Sequence, residues 1–412
     1  MLGKESTIVI VGAGQGGLQA ASSLRDEGYE GRLLLIGDEC CSPYQRPPLS
    51  KGFLSGDFDA ADVILELPEF FVQAEIQHLA GERVTSIDRP TRQLTLASGP
   101  AVAYDHLILA TGSRNRMLPC QDLDLDGVLS LRTLDDAEAL KDRMATAKHV
   151  VVVGAGFLGL EVASMAAVRG AEVLIVEATE RTMERVVSPE VSQAFRRLHE
   201  RNGVRFSFSS QVVAIHADAG RVSGVELQDG SRLSADLVLV AIGVVPNTDL
   251  AESAGLQVQN GIVVNPVLGT RDVAISAIGD CAAFPYAFDN GQCIRLESVQ
   301  NAVDQGRCIA ERLTGGHGRY DQVPTFWSEQ ASSRLQIAGV ARRDDTAVVR
   351  GDPESDKFSV FRYRRGRLVC VESINSPADH MMGRRLLMNK CNPTPLKVAG
   401  VSCDLRQLLA TA

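Results

Sequence analysis

The stretch "TIVIVGAGQGGLQAASSLRDEGYEGRLLLIGDE", residues 7–39, decides the fold. It combines an apolar strand, a glycine-rich turn, a helix with small residues and a second apolar strand that ends in acid. Gly12, Gly14 and Gly17 match the spacing G-x-G-x-x-G. The first glycine permits a tight turn, the second lets a pyrophosphate approach the backbone, and the third lets helix and strand pack closely. The stretch predicts a dinucleotide-binding unit.

A second copy of this pattern, "HVVVVGAGFLGLEVASMAAVRGAEVLIVEATER", occupies residues 149–181 and carries Gly154, Gly156 and Gly159. One such match is weak evidence, because glycine-rich strand turns also occur for packing reasons. Two copies, each followed by a strand and an acid, argue against chance. Two dinucleotide sites in one chain suggest that electrons pass between two cofactors, and we predict a tightly held FAD and a nicotinamide that comes and goes.

The acid at the end of each second strand predicts how the riboses are held. Asp38, with Glu39 as the alternative, stands about 20 residues after the first turn, where a carboxylate accepts from ribose hydroxyls. Glu177 takes the matching place in the second copy, where it would repel a 2′-phosphate. No Arg or His follows it directly, which favours NADH over NADPH, although Arg181 is near enough to weaken that preference.

The composition of the 412 residues, with 45% hydrophobic and 23% charged, is that of a soluble globular enzyme. The chain has no apolar run of about 18 residues, and its first strand breaks on glycines, so we expect a cytoplasmic protein. The nine cysteines are scattered without any C-x-x-C, which argues against a zinc site, a disulfide framework or a cluster held by the chain itself.

The charge of the chain is unevenly distributed. The formal net charge of −9 argues against generic nucleic-acid binding. From Phe326 onward, however, 14 Lys and Arg face 9 Asp and Glu, a local net charge of +5. The C-terminal segment therefore has the sign that would attract an acidic partner.

Seven further motifs make the chain resemble, over essentially its whole length, the FAD-dependent, NADH-using ferredoxin reductases of bacterial oxygenase systems. They are "PYQRPPLSK" (43–51), "LILATGS" (107–113), "LRTLDDA" (131–137), "LVLVAIGVVPN" (237–247), "AIGDCA" (277–282), "ESVQNAVDQGR" (297–307) and "FWSEQ" (326–330).

The resemblance implies an α/β fold with two Rossmann-like dinucleotide-binding domains, glutathione-reductase-like in arrangement, and a small α+β C-terminal domain. It assigns 1–115 and 248–325 to a discontinuous FAD-binding domain, 116–247 to an NAD-binding domain and 326–412 to the C-terminal domain. The alternating sequence "FSVFRYRRGRLVCVESI" independently predicts strands in that last part.

The resemblance also implies two sets of cofactor contacts. For FAD they are Gly12, Gly14, Gly16, Gly17, Asp38, Lys51, Val84, Thr111, Gly112, Arg132, Asp280 and Val299. For NAD they are Gly154, Gly156, Gly159, Glu161, Glu177 and Gly243. From the residues alone, Asp280 follows a strand and a glycine, so its carboxylate could accept from a sugar-like hydroxyl or simply lie at the surface; the resemblance favours the first.

Three residues are candidates for catalysis: Lys51, Glu161 and Trp327. A lysine near the N1/N5 edge of a flavin stabilises the negative charge of its reduced ring electrostatically, and Glu161 would pair with Lys51 and help to place the nicotinamide. Spacing alone also allows an ordinary surface lysine and a helix-surface glutamate. Trp327, the single tryptophan, is either a packing anchor or, as the resemblance implies, a residue of access and docking.

The expected partner is an acidic 2Fe-2S ferredoxin that feeds a haem-thiolate monooxygenase or an aromatic-ring dioxygenase. The basic candidates for its docking are Arg307, Arg334, Arg342, Arg343, Arg362, Arg364, Arg365, Arg384 and Arg385. A solvated rim without a partner is the alternative. We expect a monomer ahead of a homodimer, and no nucleic acid, membrane or metal.

Two other functions remain open on the sequence. An NADH oxidase, peroxidase or coenzyme A disulfide reductase would use Cys40 or Cys41, but a dithiol reductase of the glutathione reductase type places its two cysteines about five residues apart, and adjacent ones close only a strained ring. A flavoprotein that senses NADH through conformation and partner binding is the non-enzymatic alternative.

Overall fold

The structure is a computed structural model that describes residues 3–120 and 125–409. The chain divides into two compact units, each assembled from separate segments. The first unit takes residues up to 45, 61–114 and 244–322, and the second takes 46–60, 115–243 and those from 323 onward. The outer limits of the predicted domain ranges, residues 1 and 412, lie outside the described residues.

The first unit is built on a five-stranded parallel sheet. Its strands, in spatial order, are Ile275–Ala277, His106–Leu109, Thr7–Val11, Arg32–Gly37 and Ile76–Ala80. Side chains of the central strands, such as Ile8, Ile10 and Leu107, are fully buried, because helices cover both faces of a parallel sheet and the strands become continuous apolar runs.

The other elements of the first unit surround this sheet. An antiparallel sheet contains Val84–Asp88, Gln93–Leu96 and Ala101–Ala103; a mixed one contains Ile262–Val263, Ala282–Tyr286 and Gln292–Ile294; and Ser113–Asn115 pairs with Val244–Pro246. The helices are Gln15–Asp26, Pro68–Gln73, Asp249–Ser253 and Val299–Leu313, with a 3-10 turn at Gly279–Cys281.

The second unit repeats the design with a five-stranded parallel sheet and adds antiparallel sheets. The parallel order is Arg205–Ser207, Glu172–Val176, His149–Val153, Leu237–Val240 and Val128–Leu129. A three-stranded antiparallel sheet contains Val212–Asp218, Arg221–Leu227 and Arg232–Ser234. The C-terminal sheet orders Thr325–Gln330, Ser333–Gly339, Arg367–Ile374, Phe358–Arg364 and Thr346–Gly351, all antiparallel.

The helices of the second unit complete the predicted α/β architecture. They are Gly52–Ser55, Leu134–Met144, Phe157–Val168, Pro189–Arg201, Pro377–Met388 and Pro395–Ala399, with 3-10 turns at Pro47–Ser50 and Leu405–Leu408. The predicted fold class, with two Rossmann-like parallel sheets and a sheet-based C-terminal part, is confirmed. None of the described helices combines the length and apolar character needed to cross a membrane.

Residues 46–60 belong to the second unit, although the first unit supplies the chain on both sides of them. Their contacts give the reason. The Lys141 ammonium lies 4.8 Å from the centre of the Phe53 ring, and Arg169 donates a hydrogen bond to the carbonyl of Leu54. The segment that carries Lys51 therefore packs with the unit that contains the second glycine turn.

Candidate functional site

The first glycine turn follows strand Thr7–Val11 and is held by contacts that only glycine permits. Gly12 has φ +112°, and a Cβ built on it would lie 2.1 Å from the carbonyl oxygen of Ala110. A Cβ on Gly17 would lie 1.9 Å from the carbonyl oxygen of Gly12. A side chain on Gly12 would therefore collide with the segment after the neighbouring strand His106–Leu109, and one on Gly17 would separate the helix from its own strand.

At Gly14, neither the backbone conformation nor close packing requires a glycine. Its backbone is extended, with φ −81° and ψ −168°, which any residue can adopt. A Cβ built on it meets nothing within 4 Å. Gly14 is the N-cap of helix Gln15–Asp26 and provides no side-chain cap, so the amide dipoles at the helix start face open space. Such a helix start binds anionic groups.

The second glycine turn reproduces each of these features. Gly154 has φ +106° with its Cβ position 2.5 Å from the Ala241 oxygen, and the Cβ position of Gly159 lies 2.2 Å from the Gly154 oxygen. Gly156 is the extended N-cap of helix Phe157–Val168, without a side-chain cap and with open space beside it. The residues of both turns therefore fit a dinucleotide pyrophosphate.

The acids after the second strands have different surroundings in the two units. Asp38 is exposed and its Oδ2 pairs with Arg83 at 2.9 Å, while Glu39 accepts a hydrogen bond from the Tyr44 hydroxyl. As predicted, both carboxylates thus lie at the carboxyl end of strand Arg32–Gly37. Neither residue is favoured over the other by these contacts.

Glu177 is tied directly to the second turn. Its Oε2 accepts the amide of Ala155 at 2.6 Å, and its Oε1 accepts the amide and the hydroxyl of Thr179, both at 2.8 Å. The guanidinium of Arg181 donates instead to the carbonyls of Glu184, Val187 and Ser188. The cation that weakened the preference for NADH is therefore engaged with the backbone.

Asp280 lies in the 3-10 turn after strand Ile275–Ala277 and is held from several sides. Its Oδ2 accepts the Ser113 hydroxyl at 3.0 Å, and its carbonyl accepts Arg295 Nη1 at 3.1 Å. The amide of Gly279, where φ is +75°, donates to the buried Gln305 at 2.7 Å. This turn presents one carboxylate in a fixed orientation, as a contact with a ribityl chain requires.

The remaining predicted FAD contacts of the first unit occupy defined places. Thr111 and Gly112 are joined to Asn247 by reciprocal hydrogen bonds of 2.7–3.0 Å. Gly16 is buried, and its Cβ position lies 3.5 Å from the Ala302 oxygen on helix Val299–Leu313. The other two residues begin elements: Val84 is buried at the start of its strand and Val299 is half-buried at the start of its helix.

Besides Lys51, Glu161 and Glu177, the second unit contains two further predicted cofactor residues outside its glycine turn, Arg132 and Gly243. The amide of Arg132 donates to Asp136 at 2.8 Å, and its carbonyl accepts Arg46 Nη1 at 2.5 Å. Gly243 is exposed with φ +96°, and its carbonyl accepts the amide of Arg116 at 2.9 Å.

Lys51 and Glu161 form an ion pair within the second unit. Lys51 Nζ lies 2.7 Å from Glu161 Oε2, with the two side chains 21% and 7% exposed. Ser50 Oγ donates to the same oxygen at 2.5 Å, and Ser328 Oγ donates to Oε1 at 2.5 Å. The carboxylate therefore accepts three hydrogen bonds, and both of its oxygens are held.

Trp327 is half-buried on strand Thr325–Gln330 and pairs with Gln336 of the next strand. Side chains alternate along a strand, so Trp327 points to the face opposite that of Phe326 and Ser328. The ring of Phe326 lies 4.5 Å from the ring of Phe157, the first residue after Gly156. This strand thus packs against the helix that starts at the second turn.

The predicted docking arginines differ in exposure. Arg362 is buried and binds Glu372 at 2.8 Å, and burial raises the pKa of that carboxyl. Arg364 is 14% exposed and donates hydrogen bonds to both carboxylate oxygens of Asp345, each at 2.9 Å. The exposed candidates are Arg307, Arg334, Arg342, Arg343, Arg365 and Arg385, while Arg384 is half-buried. Arg362 and Arg364 stabilise the C-terminal sheet.

Three cysteines of the first unit lie close to predicted FAD residues, and none of the three forms a disulfide. Cys40 is exposed and Cys41 is half-buried. Cys281, next to Asp280, is buried, and its thiol donates to the carbonyls of Leu109 and Ile278. Burial raises the pKa of the Cys281 thiol, so it stays protonated and is a poor nucleophile.

Sequence reasoning missed several residues that the structure gathers around Glu161. Ser50 and Ser328 stand inside the recognised motifs "PYQRPPLSK" and "FWSEQ", but neither was singled out. The two-residue alternation of a strand could have linked Ser328 with Gln330 on one face. His199, near the end of helix Pro189–Arg201, carries no comparable signal.

The chain matches two family models. Residues 6–306 match the pyridine nucleotide-disulphide oxidoreductase model, and residues 325–409 match the reductase C-terminal model. Rhodocoxin reductase of Rhodococcus erythropolis is 48% identical over 404 residues, which cover 98% of this chain and 94% of that protein.

Two solved structures match this chain over nearly all of its length. The ferredoxin reductase for the CYP199A2 system from Rhodopseudomonas palustris matches with a TM-score of 0.95 and 47% identity, covering 99% of this chain and 100% of that one. The covalent putidaredoxin reductase–putidaredoxin complex matches with a TM-score of 0.97 and 37% identity, covering 100% and 99%. With its two dinucleotide turns, this chain therefore belongs to the pyridine nucleotide-disulphide oxidoreductases and, among them, to the FAD- and NADH-dependent ferredoxin reductases.

Proposed function

We propose that this flavoenzyme passes electrons from NADH, through FAD, to an acidic 2Fe-2S ferredoxin that feeds an oxygenase. FAD, when bound, accepts a hydride and gives its electrons up one at a time. The proposal is supported by two glycine turns, each with an uncapped helix start beside open space, together with a C-terminal part that matches the reductase C-terminal model. The cytoplasmic location and the monomeric state expected from the sequence belong to the same proposal.

The functional division of the chain is likewise proposed. FAD is held by the first glycine turn, by Asp38 or Glu39 and by Asp280, with the other predicted FAD residues around them. NADH is held by the second glycine turn and Glu177. The open N-caps at Gly14 and Gly156 support this division, because each leaves a helix start to receive a pyrophosphate.

Lys51 and Glu161 are proposed to serve hydride transfer. Glu161 lies two residues beyond Gly159, on the helix whose start receives the pyrophosphate of NADH, so its carboxylate is suited to place the nicotinamide. Its pairing with Lys51 at 2.7 Å holds the ammonium in one position, where a fixed positive charge favours reduction of a flavin. Trp327 is proposed to control access and docking.

The preference for NADH is testable at Glu177. Glu177→Gln removes the negative charge that repels a 2′-phosphate while keeping the side-chain size. We expect the ratio of kcat/KM for NADPH to kcat/KM for NADH to rise by about ten- to hundredfold, in steady-state assays with ferricyanide. Glu172→Gln is the matched control, because Glu172 is an exposed carboxylate at the start of strand Glu172–Val176, whereas Glu177 follows the end of this strand. An unchanged ratio would remove Glu177 from cofactor selection.

Ferredoxin reduction should depend on salt. The purified enzyme is mixed with NADH, a panel of acidic 2Fe-2S ferredoxins and cytochrome c as final acceptor. We expect the rate with the best ferredoxin to fall steeply as salt rises, because exposed arginines steer an acidic partner. Arg365→Glu should lower kcat/KM for ferredoxin about three- to tenfold at low salt without changing ferricyanide reduction.

Two controls separate this proposal from its rivals. Arg232→Glu makes the same charge change on an exposed residue of a different sheet and should leave ferredoxin reduction unchanged. Alkylation of Cys40 and Cys41 should also leave turnover intact. A salt-independent rate would exclude steering, alkylation-sensitive disulfide or peroxide reduction would indicate thiol chemistry, and absence of turnover would favour an NADH-sensing protein.

A further inference from the structure

A buried chain of hydrogen bonds runs from Glu161 into the C-terminal sheet and ends at a histidine. Ser328 Oγ lies 2.5 Å from Glu161 Oε1, and Gln330 Nε2 lies 3.1 Å from Ser328 Oγ. Gln330 Oε1 in turn lies 2.9 Å from His199 Nε2. Ser328 and His199 have no solvent exposure and Gln330 has 1%. All four residues belong to the second unit.

Two regular elements bring these residues together. Phe157 and Glu161 are four residues apart and share one face of helix Phe157–Val168. Phe326, Ser328 and Gln330 are two residues apart and share one face of strand Thr325–Gln330. The Phe157 and Phe326 rings pack in a tilted arrangement with their centres 4.5 Å apart. The next residues on these two faces, Glu161 and Ser328, therefore lie opposite each other.

The chemistry of each group fixes the direction of the hydrogen bonds. An ionised carboxylate only accepts, so the hydroxyl hydrogen of Ser328 points to Glu161. The Ser328 oxygen is then an acceptor and takes an N–H of the Gln330 amide. The amide oxygen of Gln330 therefore faces His199, whose Nε2 must carry the hydrogen. Every donor in the chain thus points towards Glu161.

The histidine end of the chain is consistent with this direction. His199 Nδ1 is buried without a hydrogen-bond partner among the described residues, as befits the unprotonated nitrogen of a neutral ring. Burial lowers the pKa of His199, although its hydrogen bond with Gln330 opposes the shift. A neutral ring with hydrogen on Nε2 is the tautomer that the chain requires.

We propose that Ser328, Gln330 and His199 are positioning residues for the Lys51–Glu161 pair, and that their one-directional hydrogen bonds hold the Glu161 carboxylate in one orientation. Ser50 and Lys51 bind the other oxygen, so Ser328 is the donor that fixes rotation of the carboxylate. The proposal rests on the proposed role of the pair in hydride transfer.

The test uses the FAD-loaded enzyme, with stopped-flow reduction over a range of NADH concentrations and equilibrium titration with NAD+. Ser328→Ala removes one small donor from a buried strand. We expect the limiting rate of flavin reduction to fall about three- to tenfold. The dissociation constant for NAD+ should stay within about twofold, because the substitution changes the orientation of the Glu161 carboxylate and leaves the second glycine turn and Glu177 intact.

Lys51 is the cation bound to the carboxylate, Ser50 and Ser328 are its neutral donors, and His199 is the titratable group at the far end of the hydrogen-bond chain. Gln330→Met breaks this hydrogen-bond chain one step further from Glu161 and should lower the limiting rate by less. Ser328→Thr retains the hydroxyl and should keep the wild-type rate.

A matched control separates positioning from general packing. Ser373 is also fully buried in the C-terminal sheet and bonds Ser359, not Glu161. Ser373→Ala should leave the limiting rate unchanged; an equal fall in this variant would overturn the proposal. If Glu161→Gln reduces the flavin at the wild-type rate, the proposed role of the ion pair fails. If Glu161→Gln is slow while Ser328→Ala and Gln330→Met keep the wild-type rate, the proposed positioning role of Ser328, Gln330 and His199 alone is refuted.

Discussion

Replacement of Lys51 by methionine should slow reduction of the bound flavin by NADH about hundredfold while the purified enzyme keeps its FAD. A fixed positive charge that stabilises charge developing in a transition state contributes roughly 2.7–4 kcal/mol, which corresponds to a factor of about 10²–10³ in rate. Methionine retains the apolar stem, so packing changes little. Stopped-flow absorbance measures the rate, and the FAD-to-protein ratio measures retention.

The variant also leaves Glu161 as a buried carboxylate without its cation, and this complicates the experiment. Removing one partner of a buried pair destabilises a protein by about 3–5 kcal/mol. The double variant Lys51→Met with Glu161→Gln removes both charges, and we expect it to recover thermal stability without recovering the rate. Flavin reduction at the wild-type rate in Lys51→Met would exclude the lysine from the mechanism.

The glycine turns show how much a sequence can predict. The spacing of Gly12, Gly14 and Gly17 specifies three different physical requirements, and the structure meets each one: a positive φ, open space and a close helix–strand contact. The requirements at Gly14 and Gly17 are local, because each depends on backbone within a few residues of the turn, whereas Gly12 is also confined by Ala110 of the neighbouring segment. The parallel sheets follow from apolar runs such as "TIVIV" and "HVVVV" in the same local way.

The surroundings of Glu161 could not be predicted in this manner. Its hydrogen-bond partners come from positions 50, 51 and 328, and further hydrogen bonds lead to residues 330 and 199. No periodicity links such distant positions, since their meeting depends on how a helix and a strand pack. The arginines illustrate the same limit: net charge does not distinguish exposed Arg365 from Arg362, which is buried against Glu372.

An aspartate introduced at the corresponding position of each glycine turn should abolish the binding of a different cofactor in each case. Gly14→Asp should yield protein without FAD, whereas Gly156→Asp should keep FAD and lose NADH binding. Both positions have extended backbone that any residue adopts, and both are helix N-caps, where aspartate is as favourable as any residue. The helices should therefore form as well as before, and the change acts on the ligand.

The size of the effect follows from charge. Two like unit charges about 4 Å apart repel by roughly 4 kcal/mol at an effective dielectric constant of about 20, which amounts to nearly a thousandfold loss of affinity. In Gly156→Asp, dithionite should still bleach the flavin although saturating NADH does not. Gly14→Ser and Gly156→Ser cap the helices without charge and should weaken binding less. Retention of FAD by Gly14→Asp, or its loss from Gly156→Asp, would contradict the assignment of FAD to the first turn and NADH to the second.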